Sequence, residues 1–304
     1  MKMRLEGEKL MKGFIKNALQ GFFMALADSV PGVSGGTVAF VLGFYDQLIN
    51  SLNALISKGG DKKGAIQFLL KLGVGWVIGM GSAVLVLANM FESHIYEVSS
   101  LFIGFIIFAI PLIVKEEKET VKGKYGNIIF ALIGIIVVAA ITYFNPQSGS
   151  GANIDIANLN IGLALYVFVA GMIAISAMIL PGISGSTLLL IFGLYMPIVS
   201  GIKETLHFNL SYIPVLFVFG MGILTGIALI IKIVKRALEK YRAQTIYLIL
   251  GLMLGSIYAI VMGATTLKVP KDPLSLGTFD ILFFVIGGLV ILGMEFAKRK
   301  LEKK

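Results

Sequence analysis

The chain has 304 residues, of which 57% are hydrophobic and 14% charged; its formal net charge is +9 and it has no cysteine. A soluble domain could not cover that many apolar faces, and without cysteine there is neither a disulfide framework nor thiol chemistry. Short alternating strands are missing from the sequence, so a polytopic helical membrane protein is expected rather than a β-barrel.

In chain order, residues 1–12 are a charged lead and residues 14–30 a first apolar arm. Cleavage after Ala25-Leu26-Ala27 is not expected, because it would remove an arm whose counterpart, 161–180, is kept later in the chain. The arm is interrupted by the glycine-rich loop 31–37, and a second arm completes a hairpin over 14–56. Asp46, Gln47 and Asn50 make the end of that second arm amphipathic. Apolar helices are expected at 65–89, 99–114 and 128–144, which closes a first unit over 13–144. Residues 145–160, rich in Asn, Gly and Ser, link it to a second unit over 161–297. There the pattern restarts, with a hairpin over 161–202 and helices at 214–234, 246–262 and 280–297, before a basic tail at 298–304.

The two units are copies. Pro31-Gly32-Val33-Ser34-Gly35-Gly36-Thr37 returns as Pro181-Gly182-Ile183-Ser184-Gly185-Ser186-Thr187, an offset of 150 residues. Between Pro31 and Tyr45, seven positions are identical at that offset, Gly43/Gly193 and Tyr45/Tyr195 among them. Two copies of a loop, each between apolar arms, point to an internally duplicated membrane protein.

The charges set an orientation. Segments 1–13, 57–64, 115–127, 235–245 and 298–304 hold 20 of the 26 Lys and Arg residues, while the connections on the other side hold 3. The positive charge therefore reads as membrane topology, with both termini cytoplasmic, and implies no nucleic-acid partner. Three crossings follow each hairpin, and three is odd, so the two units have opposite orientations. The expected architecture is all-α, with two inverted-topology repeats, each a re-entrant hairpin plus three transmembrane helices. Two full crossings in place of each hairpin would give the same charge count. The re-entrant form is preferred because glycine-rich backbone and a polar half-arm suit a protein-lined cavity better than lipid.

Each loop opens a helix, where free N–H groups and the helix dipole favour an anion, and glycine lets backbone approach it closely. Gly32, Ser34, Gly35, Gly36 and Thr37, with Gly182, Ser184, Gly185, Ser186 and Thr187, form a candidate phosphate cradle. The plainer alternative is a capped helix break with glycines for packing. Asp28 and Asp46 are candidate proton sites within the apolar segments; their counterparts are Met178 and Met196, so this feature belongs to one half. Lys71, Tyr45 and Tyr195 are candidate contacts to a lipid headgroup, although Lys71 can equally snorkel to the interface. Two separated histidines, His94 and His207, make no metal site, and no cofactor is expected. All four arginines (Arg4, Arg236, Arg242 and Arg299) fall in the basic segments.

Ala27-Asp28-Ser29-Val30-Pro31-Gly32-Val33-Ser34-Gly35-Gly36-Thr37, followed by Gly43-Phe44-Tyr45-Asp46, resembles the signature of the PopT family of polyprenyl-phosphate translocases, formerly a domain of unknown function. The second loop, with Gly193-Leu194-Tyr195, is similar to it too, and the resemblance spans nearly the whole chain. It implies return of undecaprenyl phosphate from the outer to the inner leaflet of a bacterial plasma membrane, for reuse in cell-wall synthesis. Two other readings are open. A membrane-embedded polyprenyl-pyrophosphate phosphatase would have a similar loop, but Gly35 and Gly185 stand where its Arg would be, and no Glu lies deep in the apolar segments. A small-anion or ion-coupled carrier fits the same architecture.

Overall fold

The computed structural model describes residues 2–28, 34–82, 94–144, 159–206, 208–266 and 269–302, and those residues form helices and connections without strands. Among the described residues, six helical stretches are long and apolar enough to cross a bilayer: Lys62–Ser82, Ile95–Glu116, Tyr125–Tyr143, Ile161–Ile179, Leu210–Lys240 and Arg242–Thr265. The protein is a multi-pass membrane protein.

The first unit contains α1 (Lys2–Asp28), α2 (Gly35–Val41), α3 (Tyr45–Ile56), α4 (Lys62–Ser82), α5 (Ile95–Glu116), α6 (Lys118–Val121) and α7 (Ile128–Tyr143). The second contains α8 (Ile161–Ile179), α9 (Gly185–Ile191), α10 (Tyr195–Leu206), α11 (Ile213–Lys240), α12 (Arg242–Met262) and α13 (Ile281–Glu302). Several boundaries differ from the hydropathy reading. The charged lead is continuous with the first arm in α1, and α13 runs on into the basic tail. Helix α11 continues through Lys235 and Arg236, leaving Tyr241 alone between it and α12. Lys, Arg, Glu and Leu are good helix formers, and water satisfies a charged turn that lipid would not, so polarity ends a membrane span without ending the helix. The tail of the expected helix 65–89 lies outside the described residues beyond Ser82.

Each expected second arm is two helices. The break comes at Gly43 in the first unit and at Gly193 in the second, where φ is +70° and +64°. Glycine takes this left-handed turn without steric cost. The turns match in detail: Phe44 N–H donates to the Ala39 carbonyl at 3.0 Å, and Leu194 N–H to the Leu189 carbonyl at 2.9 Å.

The long helices pack in four pairs, α1 with α4, α8 with α11, α5 with α13 and α7 with α12. The first two pairs lie within a unit and the last two join the units. In each pair the contact numbers rise together, so the partners run in the same sense. Gly75 lies on Ala18 and Gly79 on Phe22; Gly222 lies on Phe168 and Gly226 on Met172. Gly104 meets Phe284 and Gly288 meets Phe108, while Gly251 meets Ala131 and Gly255 meets Ile135. Lipid is as apolar as leucine, so these pairs are held by close van der Waals contact, and a missing side chain brings backbone against backbone. The largest buried core joins the first hairpin, α4 and α5 to α11 and α12, through residues such as Tyr45, Ile49, Ile106, Ile246 and Met253.

Candidate functional site

Both loops begin where a long helix stops. In the second unit Leu180 is extended, with φ −76° and ψ 132°. Pro181 accounts for this, since proline disfavours the helical conformation of the residue before it. Gly182 then turns at φ +89°, pressed against the backbone of Leu252. In the first unit α1 ends at Asp28, and description resumes at Ser34, so Gly32 lies outside the described residues. Ser34 is extended, at φ −132° and ψ 146°, and caps α2 by accepting from Thr37 N–H at 3.2 Å. Such a cap satisfies one of the amides that every helix leaves free at its start.

The loops bind each other. Gly182 N–H donates to Thr37 Oγ1 at 2.7 Å, and Ser34 Oγ donates to the Leu180 carbonyl at 3.3 Å. Thr37 Oγ1 lies 3.3 Å from Ser34 Oγ. With Ser34's proton committed to Leu180, the Thr37 hydroxyl supplies the proton between the two. The result is a chain from Gly182 N–H through Thr37 and Ser34 to the Leu180 carbonyl, which starts and ends on the second loop. Ser34 is 1% exposed and Thr37 4%, so neither hydroxyl has water to fall back on. Tyr45 OH adds a third tie, donating to the Ile179 carbonyl at 3.2 Å. Gly36 makes this approach possible, since a Cβ there would sit 2.7 Å from the Ile179 oxygen.

Asp28, the last residue of α1, joins the start of α2 to α4. Its Oδ1 accepts from Gly35 N–H at 2.6 Å and its Oδ2 from the Trp76 indole N–H on α4 at 3.1 Å. The first amide of α2 is thus already bound, and by a side chain of the protein itself. The second loop has no such bridge, because Met178 stands in place of Asp28 and Gly226 in place of Trp76. Sequence reasoning missed Trp76; its being the single tryptophan of the chain was the available signal.

The remaining candidates are spread out. Ser184 is buried beside Gly185, whose open side faces the Ala174 carbonyl. The side chains of Ser186, Thr187 and Tyr195 lie outside the described residues. Lys71 is half-buried on α4, within two turns of Trp76, and no hydrogen bond joins it to either loop among the described residues. Asp46 is apart from Asp28, paired with Arg242 at 3.1 Å. Arg242 also binds Glu117 through two parallel hydrogen bonds, from Nε to Oε2 at 3.0 Å and from Nη2 to Oε1. Burial alone would raise the Glu117 carboxyl, but the Arg242 guanidinium outweighs it and holds the group below its ordinary value of 4.5. An opposite charge in hydrogen-bond contact favours the ionised form in this way.

Residues 24–276 match the VCA0040-like family, described as undecaprenyl phosphate translocase-like, and that span includes both loops. A polyprenyl-phosphate transporter of Staphylococcus aureus is 33% identical over 276 residues, covering 91% of this chain and 94% of the relative. A polyprenyl-phosphate transporter of Vibrio cholerae is 29% identical over 255 residues, covering 80% of this chain and 76% of the relative. No solved structure matches the chain.

Proposed function

The chain belongs to the undecaprenyl phosphate translocase-like family, and on that premise we propose that it carries polyprenyl phosphate across a bacterial plasma membrane, returning it from the outer to the inner leaflet. The observation that carries this reading is the family match across both loops. Both relatives are named as transporters, and we read this chain likewise as a carrier and not an enzyme.

The halves act as inverted repeats around the two loops. Support comes from the senses of the paired helices. Helices α1 and α4 run the same way, as do α8 and α11, and the Glu117–Arg242 contact puts the end of α5 beside the start of α12. With the basic segments on one face, as the charge bias has it, α1 runs from that basic face and α8 towards it. The short helices α2 and α9, of seven residues each, favour re-entrant hairpins. Each is about 10 Å long, against a hydrocarbon core of about 30 Å. Irregular backbone at such depth needs protein around it, and each loop supplies that for the other.

In this reading the phosphate head sits between the loops while the polyprenyl chain stays in lipid. Stripping water from a phosphate is prohibitive unless donors replace it. The donors are the N–H groups and hydroxyls of Gly32–Thr37 and Gly182–Thr187; among the described ones, Gly182 N–H and Ser34 Oγ are used between the loops and Gly35 N–H on Asp28. Loading therefore means exchanging loop–loop bonds for loop–phosphate bonds, and rocking of the halves exposes the head to one leaflet and then the other. Asp28, not Asp46, is the proton site we propose, because Asp46 already shares the charge of Arg242.

The deciding assay is transport of a fluorescent polyprenyl phosphate in proteoliposomes. Leaflet exchange well above protein-free vesicles is expected, with no release of inorganic phosphate. Phosphate release from the pyrophosphate form would instead favour the phosphatase. Topology is checked separately, on a chain whose lack of cysteine leaves no background. Cysteine at Ser275 should label from outside intact cells, and at Gly60 or Lys122 only after permeabilisation. The reverse pattern would remove the inverted-repeat arrangement.

A further inference from the structure

The basic face carries a cluster that the loops do not explain. Glu117 fixes Arg242: two parallel hydrogen bonds hold the guanidinium plane and leave Nη1 pointing to Asp46 Oδ2 at 3.1 Å. Bidentate pairing of this kind adds geometric specificity to the attraction. The partners differ in burial. The Glu117 side chain is 15% exposed, whereas Arg242 and Asp46 are 40% and 48% exposed. Glu117 is therefore the anchor. The Arg242–Asp46 pair is wet and screened, a contact that changes an equilibrium only a few-fold.

Arg242 also lines a cavity of about 510 Å³ with Lys124 and Lys240. Glu119 and Glu239 line it as well, so the lining itself has three cations to two carboxylates, with Glu117 and Asp46 bound to Arg242 behind it. The arrangement is not repeated, because Met196 and Glu92 occupy the positions matching Asp46 and Arg242 at the 150-residue offset. Asp46 follows Tyr45, whose hydroxyl holds the Ile179 carbonyl of the second loop. The start of α3 is thus tied at once to the basic face and to the loops.

We propose that Arg242 is an anion-exchange gate, which grips Asp46, and with it the first hairpin, until a phosphomonoester in the cavity takes the place of that carboxylate. The identity of the ligand rests on the phosphate-transport reading above; the exchange itself rests on the cluster. A phosphate offers more charge and more acceptor oxygens than one carboxylate, and Lys124 and Lys240 add attraction that Asp46 cannot use. Glu117 is a positioning residue, since it acts by aiming Arg242. Exchange at Asp46 loosens α3 on the basic face and so lets the Tyr45 tie to the second loop give way.

The test is calorimetric binding to the purified full-length protein in detergent, with farnesyl monophosphate as probe and farnesol and inorganic phosphate as separate arms. Asp46→Asn removes the competitor and should tighten farnesyl monophosphate three- to fivefold. Arg242→Gln should weaken it at least tenfold, Arg242→Lys should recover part of the loss, and Asp46→Asn combined with Arg242→Gln should match Arg242→Gln alone. If Arg242→Gln does not fold, Asp46→Asn and Arg242→Lys decide. Binding that weakens or does not change in Asp46→Asn makes the pair a structural tie and overturns the gate. So does a wild type that binds neither phosphate probe, or one that binds farnesol as well as farnesyl monophosphate. If inorganic phosphate binds as tightly as farnesyl monophosphate and gains equally from Asp46→Asn, the gate stands and the polyprenyl reading falls.

Discussion

Gly36→Leu is expected to abolish transport, by more than a hundredfold, in protein that still inserts. Its Cβ would lie 2.7 Å from the Ile179 carbonyl oxygen and 3.2 Å from the Leu180 carbonyl carbon, both backbone atoms where α8 runs into the opposite loop. Backbone cannot step aside as a flexible side chain can, so the loops must part. Overpacking of this kind costs about 1–3 kcal/mol. Parting also strips the buried Gly182 N–H of its acceptor, Thr37 Oγ1. A buried donor left without a partner costs about 1–3 kcal/mol more. Thr37→Val separates the two effects. It keeps the shape, removes the acceptor and should lose about tenfold, while Thr37→Ser should transport near the wild-type rate. The measurement is leaflet exchange in proteoliposomes, with insertion checked by yield and monodispersity. Wild-type exchange by Gly36→Leu would show that the loops need not meet.

Asp28→Asn should abolish the pH dependence of transport. In the wild type one carboxylate serves two donors, Gly35 N–H and the Trp76 indole. Adding a proton removes the charge that both donors favour and turns one acceptor oxygen into a donor, so the grip on Gly35 N–H loosens and that amide becomes available to phosphate. A one-proton step of this kind changes rate by up to about tenfold per pH unit over its range. An amide cannot follow pH, and its NH₂ faces one of the two donors without an acceptor to offer. The variant should therefore vary less than twofold across the range in which the wild type varies most. Trp76 gives an independent readout, since it is the single tryptophan of the chain. Its emission should shift with pH in the wild type and stay constant in Asp28→Asn. A variant with unaltered pH dependence would leave Asp28 as a cap on the first loop.

Hydropathy and proline act over a few residues, and what depends on them was readable from the chain alone. The apolar runs require helices in lipid, because a membrane leaves no other way to satisfy the backbone of a single segment. Pro181 ends α8 by its effect on Leu180, whereas the turns at Gly43 and Gly193 that split each second arm were not expected, because a lone glycine in an apolar run does not mark a left-handed turn. The duplication at an offset of 150 residues singled out both loops before any contact was known. Helix ends were misjudged where charged residues continue a helix into water, because hydropathy measures the solvent around a helix and not the helix itself.

Tertiary structure decided which groups meet. Trp76 reaches Asp28 across 48 positions, Thr37 reaches Gly182 across 145, and Arg242 reaches Asp46 across 196. Such pairs leave no periodicity in the sequence; they exist because glycine-lined helix pairs bring distant backbones together and buried polar groups must then take whatever partner packing delivers. For that reason the sequence could nominate the loops as an anion cradle, while only the packed helices determined that the first loop already holds the carboxylate of Asp28 and that Arg242 and Asp46 join the two halves at the basic face.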